Sequence, residues 1–261
     1  MTKRAEAFER LATIMDELRA QCPWDMKQTM ESLRHLTIEE TFELADSILD
    51  KDSPEIKKEL GDIMLHLLFY AKIAEEKKEF DIADVIHAQC DKLIFRHPHI
   101  YGDPENSGQL VKVKDEEEVK RNWESLKLKE GNKSVLGGVP KSLPAMIKSM
   151  RIQEKARGVG FDWEKPEQVW EKVEEELNEF KVEAESGNDE KAFEEFGDLL
   201  FSLINYARFK NINPEEALER TNKKFIKRFQ YLESEAGKAG KKLNEMTLAE
   251  MDVYWNEAKK L

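Results

Sequence analysis

The chain is poor in the residues that would place it in several common classes. Its 261 residues include two cysteines, and Cys22 and Cys90 are too few for the disulfide framework of a small secreted domain. Neither cysteine has a second one at metal-ligand spacing. No apolar run approaches the roughly 18–20 residues of a membrane span. The opening MTKRAEAFERLATIMDEL is charged along its length and lacks the apolar centre of a secretory signal. A reduced, cytoplasmic protein without membrane association is expected. No G-x-x-x-x-G-K-[ST] loop occurs, which excludes a Walker-type ATPase. Positive charge is also short, with 42 Lys and Arg against 54 Asp and Glu and a net charge of −12. Direct binding to a nucleic-acid backbone needs clustered basic residues and is not expected. A phosphorylated small molecule stays open, provided something neutralises both sets of negative charge.

What the chain has is helix signal. Hydrophobic residues make up 40% of it, enough for a core. Strand-like alternation is nearly absent. Leu60, Ile63, Met64, Leu67, Leu68 and Ala71 fall on one helical face, as do Phe196, Leu199, Leu200, Leu203, Ile204 and Ala207. Ser53-Pro54-Glu55 reads as an N-cap followed by a first-turn proline, and Asn213-Pro214-Glu215-Glu216 opens another helix. Thr247 and Glu250 have the spacing of a capping box. The expected fold class is all-α. The stretch 129–144, rich in Gly, Ser and Pro, reads as a linker between residues 1–128 and 145–261, and HPHIYGDPENSGQ at 97–109 reads as a loop.

Two pieces of similar size invite a test for repetition. EETFELADSI (39–48) matches EELNEFKVEA (175–184), and ELGDIMLHLLFYAK (59–72) matches EFGDLLFSLINYAR (195–208), both at an offset of 136. Lys92 and Arg96 match Lys224 and Arg228 at 132, and Trp123 and Lys127 match Trp255 and Lys259 at the same offset. Polar and aromatic positions that hold register across one four-residue slip mark a duplicated module, so two tandem four-helix-type modules are expected.

Each module carries E-E-x-x-E on one helix and E-x-x-D on the next. Residues three and four apart share a face, so Glu39, Glu40 and Glu43 project together, as do Glu59 and Asp62. Glu175, Glu176 and Glu179, with Glu195 and Asp198, repeat the pattern. Like charges at this spacing oppose helix formation by roughly 0.2–0.5 kcal/mol per pair, so a fold that repeats them has a use for them. Oxygen-only ligation by carboxylates points to a hard divalent cation, Mg²⁺ or Mn²⁺. Lys92 with Arg96 and Lys224 with Arg228 offer donors suited to phosphate oxygens. Trp123 and Trp255, each four residues before a lysine (Lys127 and Lys259), either cover a base or seal the bundle. Together these groups describe a site for a nucleoside polyphosphate, and the natural reaction is metal-assisted hydrolysis.

At these residues the chain resembles the MazG family of all-α nucleoside triphosphate pyrophosphohydrolases. CPWDMKQT (22–29), RHPHIYGD (96–103), SLPAMIKSMRIQEKARGVGFDW (142–163) and EFGDLLF (195–201) are also similar to that family. The resemblance covers essentially the whole chain, tandem arrangement included. It implies a homodimeric helical enzyme that converts NTPs or dNTPs to monophosphate and pyrophosphate with Mg²⁺. It implies metal ligation by Glu175, Glu176, Glu179, Glu195 and Asp198, and by Glu39, Glu40, Glu43, Glu59 and Asp62 in the first repeat. It implies substrate contacts from Lys224, Arg228, Trp255 and Lys259. Ranking Glu176, Glu179, Glu195 and Asp198 as the catalytic set rests on the resemblance alone, because the acidic set of the first repeat is complete.

Two rival readings differ in kind. A di-iron carboxylate bundle needs Glu-x-x-His pairs, yet all five histidines lie before residue 100 and none follows a glutamate by three. An acidic helical scaffold that binds proteins without catalysis explains charge and duplication but not the registered Lys-Arg and Trp-Lys pairs. His97-Pro98-His99 has no counterpart in the second half and reads as local turn structure.

Overall fold

The computed structural model describes residues 2–103, 108–116, 118–119, 122–123, 126 and 134–260. Lys127 lies outside the described residues, as does the start of the segment 129–144. Among the described residues the chain forms ten α-helices and two 3₁₀ turns, with no strand beyond an isolated bridge between Asp103 and Gln109. The all-α expectation holds. The helices are α1 (Lys3–Gln21), α2 (Met30–Asp50), α3 (Ser53–Glu76), α4 (Ile82–Arg96) and α5 (Pro98–Tyr101). They continue as α6 (Ala145–Gly158), α7 (Pro166–Ser186), α8 (Asp189–Phe209), α9 (Pro214–Lys238) and α10 (Leu248–Ala258). The chain divides into two compact units, residues 1–114 and 115–261. The short helix α5 stands where sequence suggested only loop, because Pro98 opens a single turn whose carbonyl takes the Gly102 N–H at 3.1 Å.

Each unit is organised around one antiparallel helix pair, and the turn between the pair repeats residue by residue. α2 ends at Lys51, held left-handed at φ 57°, and the Asp52 N–H reaches the Ser47 carbonyl at 3.0 Å. α7 ends at Gly187, φ 75°, and the Asn188 N–H reaches the Glu183 carbonyl at 3.1 Å. Asp52 and Asn188 then cap the next helix through their side chains. The N-cap of α3 is therefore Asp52, one residue before the Ser53 that the sequence suggested. Ser53 is already helical, and the longer-reaching Asp52 carboxylate takes the Glu55 N–H at 3.2 Å. Asn213 caps α9 and Thr247 forms a capping box with Glu250, both where the sequence placed them.

In the first unit α1 packs across α3. Met15, Leu33, Leu68, Phe69 and Ile73 form the buried centre, with Phe8, Leu11 and Leu18 against it. Arg19 locks the α1–α2 connection: it donates to the carbonyls of Asp25 and Gln28, pairs with Glu76 at 2.8 Å and stands 5.7 Å from the Phe69 ring. In the second unit Val169, Val173, Leu199 and Ile204 are buried where α7 meets α8, and Leu232, Ala236 and Ala258 are buried on α9 and α10. Asp162 receives the Arg208 guanidinium, tying the segment before α7 to α8.

The apolar stripes read from the sequence are only partly covered within one chain. Leu68 and Ala71 are buried, but Leu60, Met64 and Leu67 are exposed, Leu60 at 53%. Phe196, Leu200 and Leu203 are likewise exposed in the second unit, beside Phe193 at 82%.

Because Lys51 and Gly187 occupy the same left-handed turn position, exchanging residue types there has opposite expected signs. A Cβ in this conformation costs roughly 1–2 kcal/mol. Gly187→Ala is expected to lower stability by about 1 kcal/mol, and Lys51→Gly to raise it by up to about that much. Urea unfolding of the two variants beside the parent measures both.

Candidate functional site

The helix-pair geometry brings the acidic residues together. Two antiparallel helices joined by a two-residue link place residues equidistant from the link at the same height. Glu43 and Glu59 stand eight residues either side of Lys51, and Glu179 and Glu195 stand eight either side of Gly187. At 1.5 Å rise per residue each carboxylate is about 12 Å from its turn. Glu40 and Glu176, one helical turn further, complete each set. In both units one carboxylate oxygen from each of the three lies within 4.8 Å of the others: Glu40, Glu43 and Glu59 in the first, Glu176, Glu179 and Glu195 in the second.

The clusters are asymmetric in burial. Glu59 is 2% exposed and Glu176 7%, whereas Glu43 and Glu179 face solvent. Oε2 of Glu59 is buried and receives no N–H or O–H donor. Such an oxygen in an oxygen-only donor set fits a hard divalent cation, which takes several carboxylate oxygens at once.

Charge crowding shows in the titration of the cluster members. Burial, then the neighbouring Asp62, with Glu59 and Glu43 adding, pushes the Glu40 carboxyl above the ordinary carboxylate range. Glu195 is pushed up in the same way, by burial first and then by Glu179, Glu176, Asp198 and Glu183. Asp62 and Asp198 thus act on the clusters electrostatically while standing outside the groups of three. Glu39 and Glu175 are also outside them, and both are exposed.

Each cluster has a lysine that motif reading missed. In the first unit Lys58 Nζ lies 3.0 Å from Glu59 Oε1, which holds the Glu59 carboxyl below its usual range against the opposing effect of burial. In the second, Lys172 Nζ lies 2.7 Å from Glu176 Oε1 and 2.9 Å from Glu175 Oε1, and both contacts push the lysine upward. Lys172 precedes Glu176 by four residues, a spacing readable from sequence. Neither lysine is duplicated: the register partner of Lys58 is Glu194 and that of Lys172 is Leu36. A search for repeated residues passes over both.

The basic and aromatic candidates of the second unit gather on α9 and α10. Arg228 stands 5.9 Å from the Trp255 ring, and Phe225 packs on the same ring at 4.9 Å between centroids. Lys224 is exposed, and Lys259 donates to Asn256 Oδ1 at 2.9 Å. No hydrogen bond or ion pair among the described residues joins Lys224 or Arg228 to the carboxylates. In the first repeat Lys92 is exposed, while Arg96 and Trp123 are half-buried. The His97 ring is tilted against that of His99 at 5.6 Å between centroids, and its Nδ1 reaches the Leu93 carbonyl, the local turn role its sequence suggested.

A family model described as the MazG nucleotide pyrophosphohydrolase domain matches residues 28–101 and 164–232, so it matches the chain twice, over the two helix pairs. The chain is 44% identical over 257 residues to the nucleoside triphosphate pyrophosphohydrolase/pyrophosphatase MazG of Thermotoga maritima, covering 97% of this chain and 95% of that protein. It is 36% identical over 264 residues to the nucleoside triphosphate pyrophosphohydrolase of Escherichia coli K12, covering 97% of each. It is also 46% identical over 258 residues to the uncharacterised protein YabN of Bacillus subtilis, of which it spans 51%.

Cation binding requires ionised carboxylates, so the upward shift of Glu195 sets the direction of its pH dependence. Affinity for Mg²⁺ or Mn²⁺ is expected to fall on acidification, beginning above the ordinary carboxylate range, because the proton competes for Glu195. A raised carboxyl stabilises the cation-free fold at low pH and loses that contribution as pH rises through its folded value. Glu195→Gln is therefore expected to raise the melting temperature of cation-free protein at pH 7 while weakening cation binding. Calorimetric titrations at several pH values, with melting curves in chelator, measure both effects.

Proposed function

This chain belongs to the MazG nucleotide pyrophosphohydrolase family, and from that premise we propose that it hydrolyses nucleoside triphosphates to monophosphate and pyrophosphate. The observation that carries the reading is the carboxylate trio closed by the α7–α8 pair, Glu176, Glu179 and Glu195, with Asp198 one turn beyond. These four would hold the cation, Mg²⁺ with Mn²⁺ as substitute, and Glu175 flanks them. Glu39, Glu40, Glu43, Glu59 and Asp62 are the corresponding set of the first module. A divalent cation supplies charge neutralisation on the phosphates and activation of water. It also explains how so acidic a protein accepts a polyanion.

The remaining steps belong to the chain's own side chains. Lys224 and Arg228 are four residues apart on α9 and present donors for phosphate oxygens, Arg228 by its fork and Lys224 as a point charge. Trp255, braced by Phe225 and Arg228, presents a flat face for a base. Lys259 follows on the next turn. Lys92, Arg96, Trp123 and Lys127 are the corresponding positions of the first module. Water attacking phosphorus in line with departing pyrophosphate needs a base within hydrogen-bond reach, which the carboxylates provide. Lys172 pairs with Glu176 at 2.7 Å. The modules are those of the sequence repeat, 1–128 and 145–261 joined by 129–144, and the substrates are NTPs and dNTPs.

The exposed stripes support a homodimer. Leu60, Met64 and Leu67, and likewise Phe193, Phe196, Leu200 and Leu203, form apolar faces on the same helices that carry the acids. A second copy covers them in this reading, because contiguous apolar surface of this kind marks association sites.

Glu195→Ala and Asp198→Ala are each expected to cut Mg²⁺-dependent pyrophosphate release by roughly 10²–10⁴-fold with helical content unchanged. Retained activity in both would move the active site to the first module, where Glu59→Ala becomes the deciding variant. Absence of any metal-dependent turnover in the parent would leave the scaffold reading standing. Light scattering of the full chain is expected to report a dimer, and Leu200→Lys with Leu203→Lys to shift it to monomer.

A further inference from the structure

Two hollows adjoin α8 in the second unit, and neither brings a free basic side chain to the acids. Asn178, Val182 and Glu183 line a hollow of about 320 Å³ together with Glu179 and Glu195. Ten residues past Glu195, Asn205 lines a cavity of about 510 Å³ with Gln153 and Arg208. The register partner of Asn205 is Phe69, which is 2% exposed in the first core. The Arg208 guanidinium is engaged by Asp162, to which Nη1 donates at 2.8 Å.

Among the described residues, Lys172 is the one cation paired with the second trio. Its Nζ stands 2.7 Å from Oε1 of Glu176 and 2.9 Å from Oε1 of Glu175. Residues 172, 175 and 176 are three and four apart, so the lysine and both acids share a face of α7. Glu176 is buried and belongs to the trio, whereas Glu175 is exposed and stands outside it. The ammonium thus bridges two carboxylates through one oxygen of each, which is what a metal ion does in a carboxylate site. Glu175, Glu176, Glu179, Glu195 and Asp198 carry a formal charge of −5 when ionised, against which one divalent cation brings only +2. Two-metal sites meet such an excess with a second ion roughly 3.5–4 Å from the first, held by shared carboxylates. Here Glu176 already gives Oε1 to a lysine. The first unit lacks this arrangement. Leu36 occupies the register position of Lys172, and Lys58 reaches only Glu59 of its trio, with 60% of its side chain exposed.

We propose that the Lys172 ammonium is the built-in second cation of this site, so that the second module takes one divalent ion where the same carboxylates without the lysine take two. Lys172 is then a positioning residue: it touches the acids, and it leaves Glu179, Glu195 and Asp198 to a single ion. A tethered ammonium does not dissociate, so half of a two-cation site is present before any ion binds. The inference rests on the cation site of the proposed function.

The test counts Mn²⁺ bound by the full chain without nucleotide, by calorimetry and electron paramagnetic resonance, with melting curves to follow the fold. Lys172→Met is expected to bind one Mn²⁺ more per chain than the parent, and its spectrum to gain the signature of two coupled ions. Lys172→Gln, which keeps a hydrogen-bond donor for Glu176 without the charge, is expected to gain the same ion and serves where the methionine variant unfolds. Lys172→Arg, which keeps a cation, is expected to retain the parent count. Lys172→Met with Glu175→Gln is expected to return to that count, because the added ion needs the carboxylate the lysine held. An unchanged count in folded Lys172→Met and Lys172→Gln, or an equal gain in Lys172→Arg, overturns the proposal. A parent that binds no Mn²⁺ at millimolar concentration refutes the cation site itself, whereas equal counts in parent and charge-removed variants refute this inference alone.

Discussion

Three carboxylates held within 4.8 Å of one another repel, and each unit depends on a helix pair stiff enough to hold them there. The repulsion is met first by geometry. A two-residue, left-handed link fixes the antiparallel alignment, so the height at which Glu43 meets Glu59, or Glu179 meets Glu195, is set by counting from the turn. It is met next by apolar contact between the paired helices, where Val169, Val173, Leu199 and Ile204 are buried beside the acids. Burial first, and the neighbouring carboxylates after it, still hold Glu40 and Glu195 above the ordinary carboxylate range, and a bound cation would oppose both effects. The link, the core and the cation are therefore successive answers to one electrostatic difficulty.

The two units answer it with different lysines. Lys58 comes from α3 and depresses the buried Glu59; Lys172 comes from α7 and pairs with Glu175 and Glu176. Their register partners, Glu194 and Leu36, show that each compensation is private to its unit. Duplication preserved the acids, the turn and the caps, while their immediate cationic neighbours diverged. Lys58 adjoins Glu59 in sequence on α3, so it is not equivalent to Lys172, which stands four residues before Glu176 on α7. The first is tied to the helix opposite Glu40 and Glu43, the second rides with Glu176 and Glu179 on a single helix.

Much of this was legible before the fold was seen, for a physical reason. Helical periodicity, capping residues and the acid pairs are local patterns, and the duplication gave each a second reading at 136 or 132 residues. The helix boundaries carry the same offsets, with Met30 and Pro166 opening α2 and α7, and Ile82 and Pro214 opening α4 and α9. What was hidden is what the repeat does not share. Lys58, Lys172, Asn205 and Gln153 each have a different residue type in the other unit, so repetition filtered them out. The apolar stripes were legible as faces, but periodicity cannot say what covers a face. Leu60 and Phe193 have the spacing of core residues and yet lie exposed within one chain.

One helix carries the consequences along its length. α8 begins beside the turn, holds Glu195 and Asp198 on its first half, and presents Leu200 and Leu203 in its middle. It then reaches Asn205 and Arg208 before ending at Phe209. Sharp kinks in an α-helix need a cause such as proline, and α8 has no proline within it. The spacing between the acids, the apolar stripe and the cavity is thus fixed by backbone geometry rather than by loop conformation. A second copy seated on the stripe would hold the acids and the cavity in register together. The same helix in the first unit keeps the acids and the stripe but replaces Asn205 with a buried Phe69, closing the far end into core. At that end a side chain either completes the packing, as Phe69 does, or lines a cavity, as Asn205 does.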